Sequence, residues 1–573
     1  MFIYPEILYI IMALKDKIRN YALQNAIKFD GKANPGAVIG KLLADDQALK
    51  SKIKTIARDV QKIIGEIGSL SVANMRKELE KSAPELLEEK KGASEKELPD
   101  LKRATSGKVV MRFEPSPSGP LHIGHAYVLA LNAAFVEKYK GKFILKIGDT
   151  NPENIYEPAY KLIPEDVEWL TKGKLSEVLI QSERLEIYYN YMERLIGLDK
   201  AYICTCDPEI FKEDLRKGKA CPCRELRDQL DRWRKMFEEY QQGFAVARVK
   251  TDLEHKNPAM RDFPVFRINE SEHPKQKKKY RVWPLMNMAV SCDDIESGVT
   301  HVIRAKDHAD NAKRQEFIYD YLGKKAPEAM FVGRINFEDL RVSASETREA
   351  IEKGKFVGWD DIRLPFLQAL KKRGYTPEAF VKYAIEVGMS LTDKTVKKED
   401  YYKALDSYNK AIIDDTSHRY FFVKDPVKIT IEKAPSRTVE LDLHPEFMEG
   451  GRKLEVGNTF FITQEDYNAL EDRELYRLMD CLNFTKKGKK FTFDSKEYEK
   501  YKKSGKRIMH WVTEDHVNVE VLLGDNTIVS GVGEKTLTSV KEGSIVQLER
   551  FGFCRLDVKD KKKEELVFWF GHK

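Results

Sequence analysis

Apolar and polar positions follow different periods in successive parts of the chain. Over residues 1–87, clearly from Ala13 onward, apolar residues recur at i, i+3 and i+4 with few prolines, which predicts a helical module. Within it, YALQNAIKFDGKANPGAVIGKLL carries a stop at Gly31 and a restart after Pro35. Charged and small residues dominate 88–108 (EEKKGASEKELPDLKRATSGK), a composition that predicts an exposed linker. Short apolar runs follow, VVM at 109–111 and FILKI at 143–147, of the kind that buried parallel strands use; with the helical period after the first of them they predict an α/β region over 109–345. Residues 346–416 return to a helical pattern. From about Ser417 to the end the runs are short and alternating (VKITI at 427–431, VELDL at 439–443, VNVEV at 517–521). Gly, Asn, Asp and Pro separate them, which predicts an antiparallel all-β region built as barrels.

Length and composition narrow this picture only a little. A chain of 573 residues is too long for a single core, so several domains are expected. A net charge of +7 fits a polyanionic partner, although many proteins without one reach that value. No run of 18 apolar residues is present, so no membrane span is predicted. The apolar opening MFIYPEILYIIM has no basic residues before it and no small-residue cleavage site after it. Met12 starts a stretch that reads as an ordinary N-terminus, and an alternative start there is the expected account of the first eleven residues.

The chemistry concentrates at 109–126, VVMRFEPSPSGPLHIGHA. An apolar run leads into a turn built on Pro115, Pro117, Gly119 and Pro120, which can continue neither a central strand nor a helix. His122-Ile-Gly-His125 then opens an apolar helical segment. A strand, a tight loop and a helix N-terminus receive phosphate, because free N–H groups and the positive end of the helix dipole converge there. Gly124 lets a ring or ribose approach the backbone, and His122 and His125 can donate to phosphate oxygens as charge moves onto a leaving pyrophosphate. Elsewhere, Cys204-Thr-Cys206 and Cys221-Pro-Cys223 form two close pairs in a chain with seven cysteines. That pattern suits tetrahedral structural zinc; two disulfides are the alternative. The basic run 275–279 (KQKKK) reads as a solvated loop.

The stretch RFEPSPSGPLHIGHA resembles the first signature of the class I aminoacyl-tRNA synthetases, in the form used by the glutamyl and glutaminyl enzymes. The resemblance covers almost the whole chain. RYFFVKDPVKI and ERFGFCRLD are similar to the anticodon-binding barrels of the archaeal-type glutamyl and the glutaminyl enzymes, and the four-cysteine insertion with the N-terminal helical module favours the glutamyl branch. What the resemblance implies is a multidomain chain. A helical extension (1–87) that assists tRNA binding and a linker (88–108) precede a Rossmann-type catalytic domain (109–345), whose zinc-binding, acceptor-end insertion lies at about 200–260. A helical stem-contact region (346–416) and anticodon-binding β-barrels (417–573) follow. The implied reaction is ATP-dependent attachment of L-glutamate to tRNA through a glutamyl-adenylate, with Mg²⁺ on the phosphates, in a monomeric cytoplasmic enzyme acting on tRNA(Glu). Whether tRNA(Gln) is also charged stays open.

The implied roles fall on named residues. His122, Gly124 and His125 handle ATP. Arg112, Ser116 and Arg304 bind the amino acid. Three positions depart from the family pattern. Gly148 stands where an acidic residue normally holds the substrate's amino group, so Asp149 or a water takes that role or the pocket is altered. Met286 stands near the place of a tyrosine that contacts the amino acid. In the mobile loop LRVSASE (340–346), Ser343 and Ser345 stand where ATP-contacting serines belong, but Ala344 replaces a lysine. Arg341, with Arg348 as a second candidate, then has to supply the cation that stabilises the transition-state phosphates. A glutaminyl enzyme and a non-catalytic tRNA-binding paralogue are the rival readings; a tRNA-independent adenylate-forming enzyme is disfavoured by the long β region.

Overall fold

In a computed structural model, the described residues are 5–28, 31–45, 53–86, 96–447, 450–560 and 562–573. The expected alternative start at Met12 concerns residues whose side chains lie outside this description, and so does most of the first half of the expected linker. The chain divides into two units, Met1–Glu97 and Leu98–Lys573.

The first unit contains helices α1 (Pro5–Lys28), α2 (Pro35–Asp45), α3 (Ile53–Ile67) and α4 (Val72–Ser82). The expected breaks are in place: Gly31, at φ +90°, follows α1, and Pro35 opens α2. Ser71 caps α4 by accepting the Asn74 N–H. Ile18, Leu23, Leu42, Val60, Met75 and Leu79 form its core.

In the second unit the strands β1 (Val110–Phe113), β2 (Lys142–Ile147) and β3 (Leu175–Ile180) are followed by a small antiparallel sheet. That sheet comprises β4 (Ala201–Cys204), β5 (Val246–Val249), β6 (Pro264–Ile268) and β7 (Val282–Pro284). Strands β8 (His301–Ala305) and β9 (Glu328–Val332) then return to the first sheet, which is parallel throughout in the order β3-β2-β1-β8-β9. The chain reverses its direction of travel across the sheet between β1 and β8, and open α/β sheets place their ligands at such a switch point. Helices α5 (Ile123–Tyr139), α6 (Ala159–Leu170) and α7 (Leu185–Gly197) follow the first three strands, with α8 (Pro208–Arg216) and α9 (Gln229–Glu238) in the insertion. Helices α10 (Met286–Glu296) and α11 (Ala309–Tyr321) flank β8. The small sheet runs on to Pro284, past the expected limit near 260, because β6 and β7 complete its hydrogen bonding. From Leu98 the chain is already docked on this unit: Leu101 is buried, its N–H bonds the Tyr139 hydroxyl, and His301 bonds the Lys102 carbonyl.

Beyond the parallel sheet lie the short pair β10 (Ile335–Phe337) and β11 (Lys394–Val396) and helices α12 (Ala344–Glu352), α13 (Leu367–Lys372), α14 (Pro377–Val387) and α15 (Lys398–Ile413). Helix α14 brings Ala379, Phe380 and Ala384 into the core of the parallel sheet. The remainder is mostly β-structure, in a six-stranded sheet, a seven-stranded sheet and the two-stranded pair Arg437–Asp442/Gly451–Val456, with short helices at Gln464–Asn468 and Tyr498–Ser504. In the seven-stranded sheet, Arg419–Tyr420 pairs at one edge and Phe422–Lys424 at the other. Only Phe421 separates them in sequence, so one continuous chain segment joins the two edges and the sheet curls round on itself as a barrel does.

Candidate active site

Strand β1 ends at Phe113, and the PSPSGP turn carries the chain to α5. Leu121, just before the helix, donates its N–H to Oδ2 of buried Asp166 at 2.8 Å. Residues 365–367 brace the helix start from the other side: Ile123 N–H bonds the Pro365 carbonyl, and Leu367 N–H bonds the Leu121 carbonyl. His122 is the N-cap. Its Nδ1 accepts the Gly124 N–H at 3.0 Å, and His125 Nδ1 accepts the His122 N–H at 3.4 Å. The two rings stack with centroids 3.8 Å apart. With each Nδ1 accepting, the proton of each neutral ring sits on Nε2, the nitrogen left to donate to a ligand. Burial keeps both neutral: it lowers His125 to about 4, and with help from His125 it holds His122 well below the usual imidazole value. The pair therefore both caps the helix and presents donors. Gly124 is needed first by the protein itself, because a Cβ there would lie 2.9 Å from the His122 ring.

Behind this helix start, β1, β2, β8 and α10 bring charges together out of water. Arg112 forks onto Asp294 through Nε at 2.8 Å and Nη2 at 3.2 Å. Lys146, wholly buried in β2, reaches the same carboxylate at 2.6 Å. Burial pushes Asp294 upward, but Arg112 and Lys146 outweigh it and hold its pKa below the usual range. Arg304, at the end of β8, is buried and gives Nη1 to Gln315 Oε1 at 2.8 Å. Among the described residues no carboxylate lies within ion-pair distance of it. Burial, then repulsion from Arg112, lowers its pKa to about 10. Such a site favours an arriving carboxylate.

The other expected residues are placed as follows. Ser116 is exposed in the turn, and Met286 is half-buried at the first position of α10. Asp149, past the end of β2, is fully engaged: Oδ1 accepts the Ser182 N–H at 2.8 Å, and Oδ2 accepts the Ser182 and Tyr160 hydroxyls at 2.7 and 2.6 Å. Buried His273, stacked on Trp283, adds a contact to the Asp149 carbonyl at 3.0 Å. Asp149 thus pins the β2 loop to the start of α7. Lys146 is an ion-pairing residue that none of the motifs marks; a lysine inside the apolar run FILKI is its one signal in the sequence.

The loop 340–346 enters α12. Ser343 caps that helix, accepting the Glu346 N–H at 3.4 Å, with Ser345 Oγ 3.2 Å away. Arg341 is 83% exposed and pairs with Glu346 at 2.7 Å. Arg348 lies over the Tyr156 ring. The loop rests on the first motif: a Cβ at Gly119 would lie 2.8 Å from Ala344 Cβ and 3.2 Å from Trp359.

In the insertion, Cys204 and Cys206 at the end of β4 face Cys221 and Cys223 in the turn before α9. All four Sγ atoms lie within 4.8 Å of one another, and the cysteines are free thiols. Zinc–sulfur bonds of about 2.3 Å in a tetrahedron put sulfurs roughly 3.8 Å apart, so the donor set fits one zinc. The Arg232 guanidinium, 3.6 Å from Cys223 Sγ, favours thiolate.

Known protein families match along most of the chain. The catalytic domain of the class I tRNA synthetases (E and Q) matches residues 108–412, and anticodon-binding domains of the same group match 417–502 and 508–557. The chain is similar to glutamate–tRNA ligases from Thermococcus kodakarensis (42% identity), Methanothermobacter marburgensis (41%) and Methanocaldococcus jannaschii (40%). Each match covers 98% of this chain and 100% of the relative. With histidines capping the helix at the switch point, barrels in the anticodon-binding positions and similarity along nearly its full length, this chain belongs to the class I aminoacyl-tRNA synthetases of the glutamate and glutamine group.

Proposed function

We propose that the chain activates L-glutamate with ATP and transfers it to tRNA, as a glutamate–tRNA ligase. The α-carboxylate attacks the α-phosphate of ATP, forming glutamyl-adenylate and releasing pyrophosphate. The terminal ribose hydroxyl of tRNA then attacks the activated carbonyl and AMP leaves. His122 and His125 donate Nε2–H to phosphate oxygens, stabilising charge as it moves onto the leaving pyrophosphate. Ser343, Ser345 and Arg341 approach the nucleotide from the facing loop. Mg²⁺ would be carried by ATP and would neutralise phosphate charge; the one candidate metal cluster among the described residues is made of thiols, which suit zinc and not Mg²⁺.

The observation that carries the reading is Arg304, a buried cation with no carboxylate partner among the described residues. A substrate with a carboxylate side chain balances it; glutamine, with a carboxamide, does not. Arg112 adds a second positive centre beside it. The C-terminal β-region reads the anticodon loop of tRNA(Glu) by stacking unpaired bases. The four cysteines hold one structural zinc, in the reducing cytoplasm where their thiols persist.

Aminoacylation with labelled glutamate and glutamine on purified tRNA(Glu) and tRNA(Gln) tests the reading. Glutamate is expected on tRNA(Glu); a preference for glutamine on tRNA(Gln) would replace it with the glutaminyl reading, and glutamate on both tRNAs would extend it. Elemental analysis of protein purified without added metal should find one zinc per chain. Less than about a tenth of an equivalent, with all four thiols freely titratable, removes the zinc site.

A further inference from the structure

We propose that Glu114 is the carboxylate that receives the ammonium group of the amino-acid substrate, in the space beside Gly148. This inference rests on the glutamate-activating reading above. Glu114 directly follows β1, and its side chain is 10% exposed. Oε1 accepts one hydrogen bond, from Gln181 Nε2 at 3.1 Å. Oε2 is buried and has no hydrogen-bond donor. Arg112 Nη1 lies 3.2 Å from it without making such a bond, while the Nε and Nη2 of Arg112 are given to Asp294. A buried carboxylate left this short of donors is costly unless a ligand supplies them.

Gly148 provides the room. A carbon added there would meet nothing closer than the Pro115 carbonyl oxygen at 3.6 Å, Gln181 Oε1 at 3.7 Å and Glu114 Cγ at 3.9 Å. Two acceptors and a carboxylate side chain border that space, and an ammonium brings three N–H donors. The adjoining carboxylate, Asp149, is taken up by Ser182 and Tyr160. Charge points the same way. Arg112, Lys146 and Arg304 face Asp294 and Glu114, one positive charge in excess, and glutamate carries one net negative charge. Burial raises the pKa of Glu114, and Arg112 and Lys146 pull it back only in part; an arriving cation favours the ionised form. The acidic group missing at 148 is thus supplied by the neighbouring strand.

The test measures the KM for glutamate in ATP–pyrophosphate exchange with tRNA present. Alongside it comes the inhibition constant of glutarate, which keeps both carboxylates and lacks the amino group. In Glu114→Gln the glutamate KM is expected to rise roughly 10²-fold, the scale for truncating one partner of a buried charge pair. Glutarate inhibition should stay the same or tighten. The double variant Glu114→Ala/Gly148→Glu moves the carboxylate back across the pocket and should recover most of the glutamate KM. It also keeps the question decidable if Glu114→Gln does not fold. An unchanged glutamate KM in Glu114→Gln overturns the inference. So does a folded Glu114→Gln that weakens glutamate and glutarate alike, or a folded double variant with no recovery. If the wild type itself fails to activate glutamate, the functional reading falls first.

Discussion

In the reaction proposed above the start of α5 and the loop 340–346 both act on ATP phosphates, yet they are built in opposite ways. His122 and His125 are locked to backbone N–H groups, stacked on each other and backed by Phe366. Arg341 is held by one surface ion pair, and none of the residues of α12 is buried. An exposed ion pair contributes about 0–1 kcal/mol, so Arg341 can leave Glu346 for a phosphate at small cost. On that proposal the first region acts through groups already in place, and the second has to exchange Glu346 for a phosphate. They meet at Gly119 and Ala344.

Predictions that separate the two regions run from large effects to small. His125→Ala removes a preorganised donor and also the acceptor for the His122 N–H. Single-turnover adenylate formation should fall roughly 10³-fold, the upper end for losing one transition-state donor. A fall of less than tenfold would show that the histidines only cap the helix. Arg341→Ala should lower the same rate about 10²-fold, the lower end of that range, with little change in tRNA binding. Ala344→Lys should be neutral or faster, since it adds a second cation to the loop. An Arg341→Ala variant as fast as wild type would assign the phosphate charge to another group.

Gly119→Ala probes the contact between the regions. Its new carbon would press on Ala344 and Trp359, so the loop must move outward, and activation should slow about tenfold, the scale of about 1.4 kcal/mol on the barrier. The melting temperature should fall by only a few degrees, because half-buried Ala344 can shift away while Trp359 stays in its cluster. A large loss of stability would show that the loop is part of the fixed region after all.

The smallest effect tests how firmly the first region is built. Burial raises Asp166 from an ordinary 3.8 to about 7, opposed by the Leu121 N–H. The folded protein then holds a proton that the unfolded chain releases, so this group's contribution to stability falls as pH rises from about 4 through about 7. Asp166→Asn keeps an acceptor for Leu121 without the charge. It should raise the melting temperature by several degrees at pH 8 and by less than half as much at pH 5. An equal shift at both pH values would mean the carboxylate is not proton-linked.

Much of this architecture is legible in the sequence. The apolar run, the proline-rich turn and the histidines place β1, the loop and the start of α5, because each is a local preference over a few residues. Gly31 and Pro35 mark the end of α1 and the start of α2 for the same reason. The two C-x-C pairs require only that a short insertion fold back on itself. Less legible is the fate of each charged group. Asp149 is a candidate for the substrate's amino group on sequence grounds, yet its oxygens are spent on Ser182 and Tyr160. Arg112 is a candidate for a substrate carboxylate, and it already forks onto Asp294.

Alternation, helical period, turn residues and cysteine spacing are properties of neighbours in the chain, and by themselves they determined the order of helical, α/β and β regions and the strand–loop–helix segment at 109–126. Which charges remain for substrate was decided only when β1, β2, β8 and α10 came together. Lys146 meets Asp294 across 148 residues, and Gly148 opens the space beside Glu114 from an adjacent strand. Out of water, a charge is neutralised by whatever the fold brings within a few ångströms, and sequence distance carries no information about that. Within this cluster, Arg304 without a carboxylate in ion-pair distance and Glu114 with an unbonded Oε2 could be recognised only after the others had found their partners.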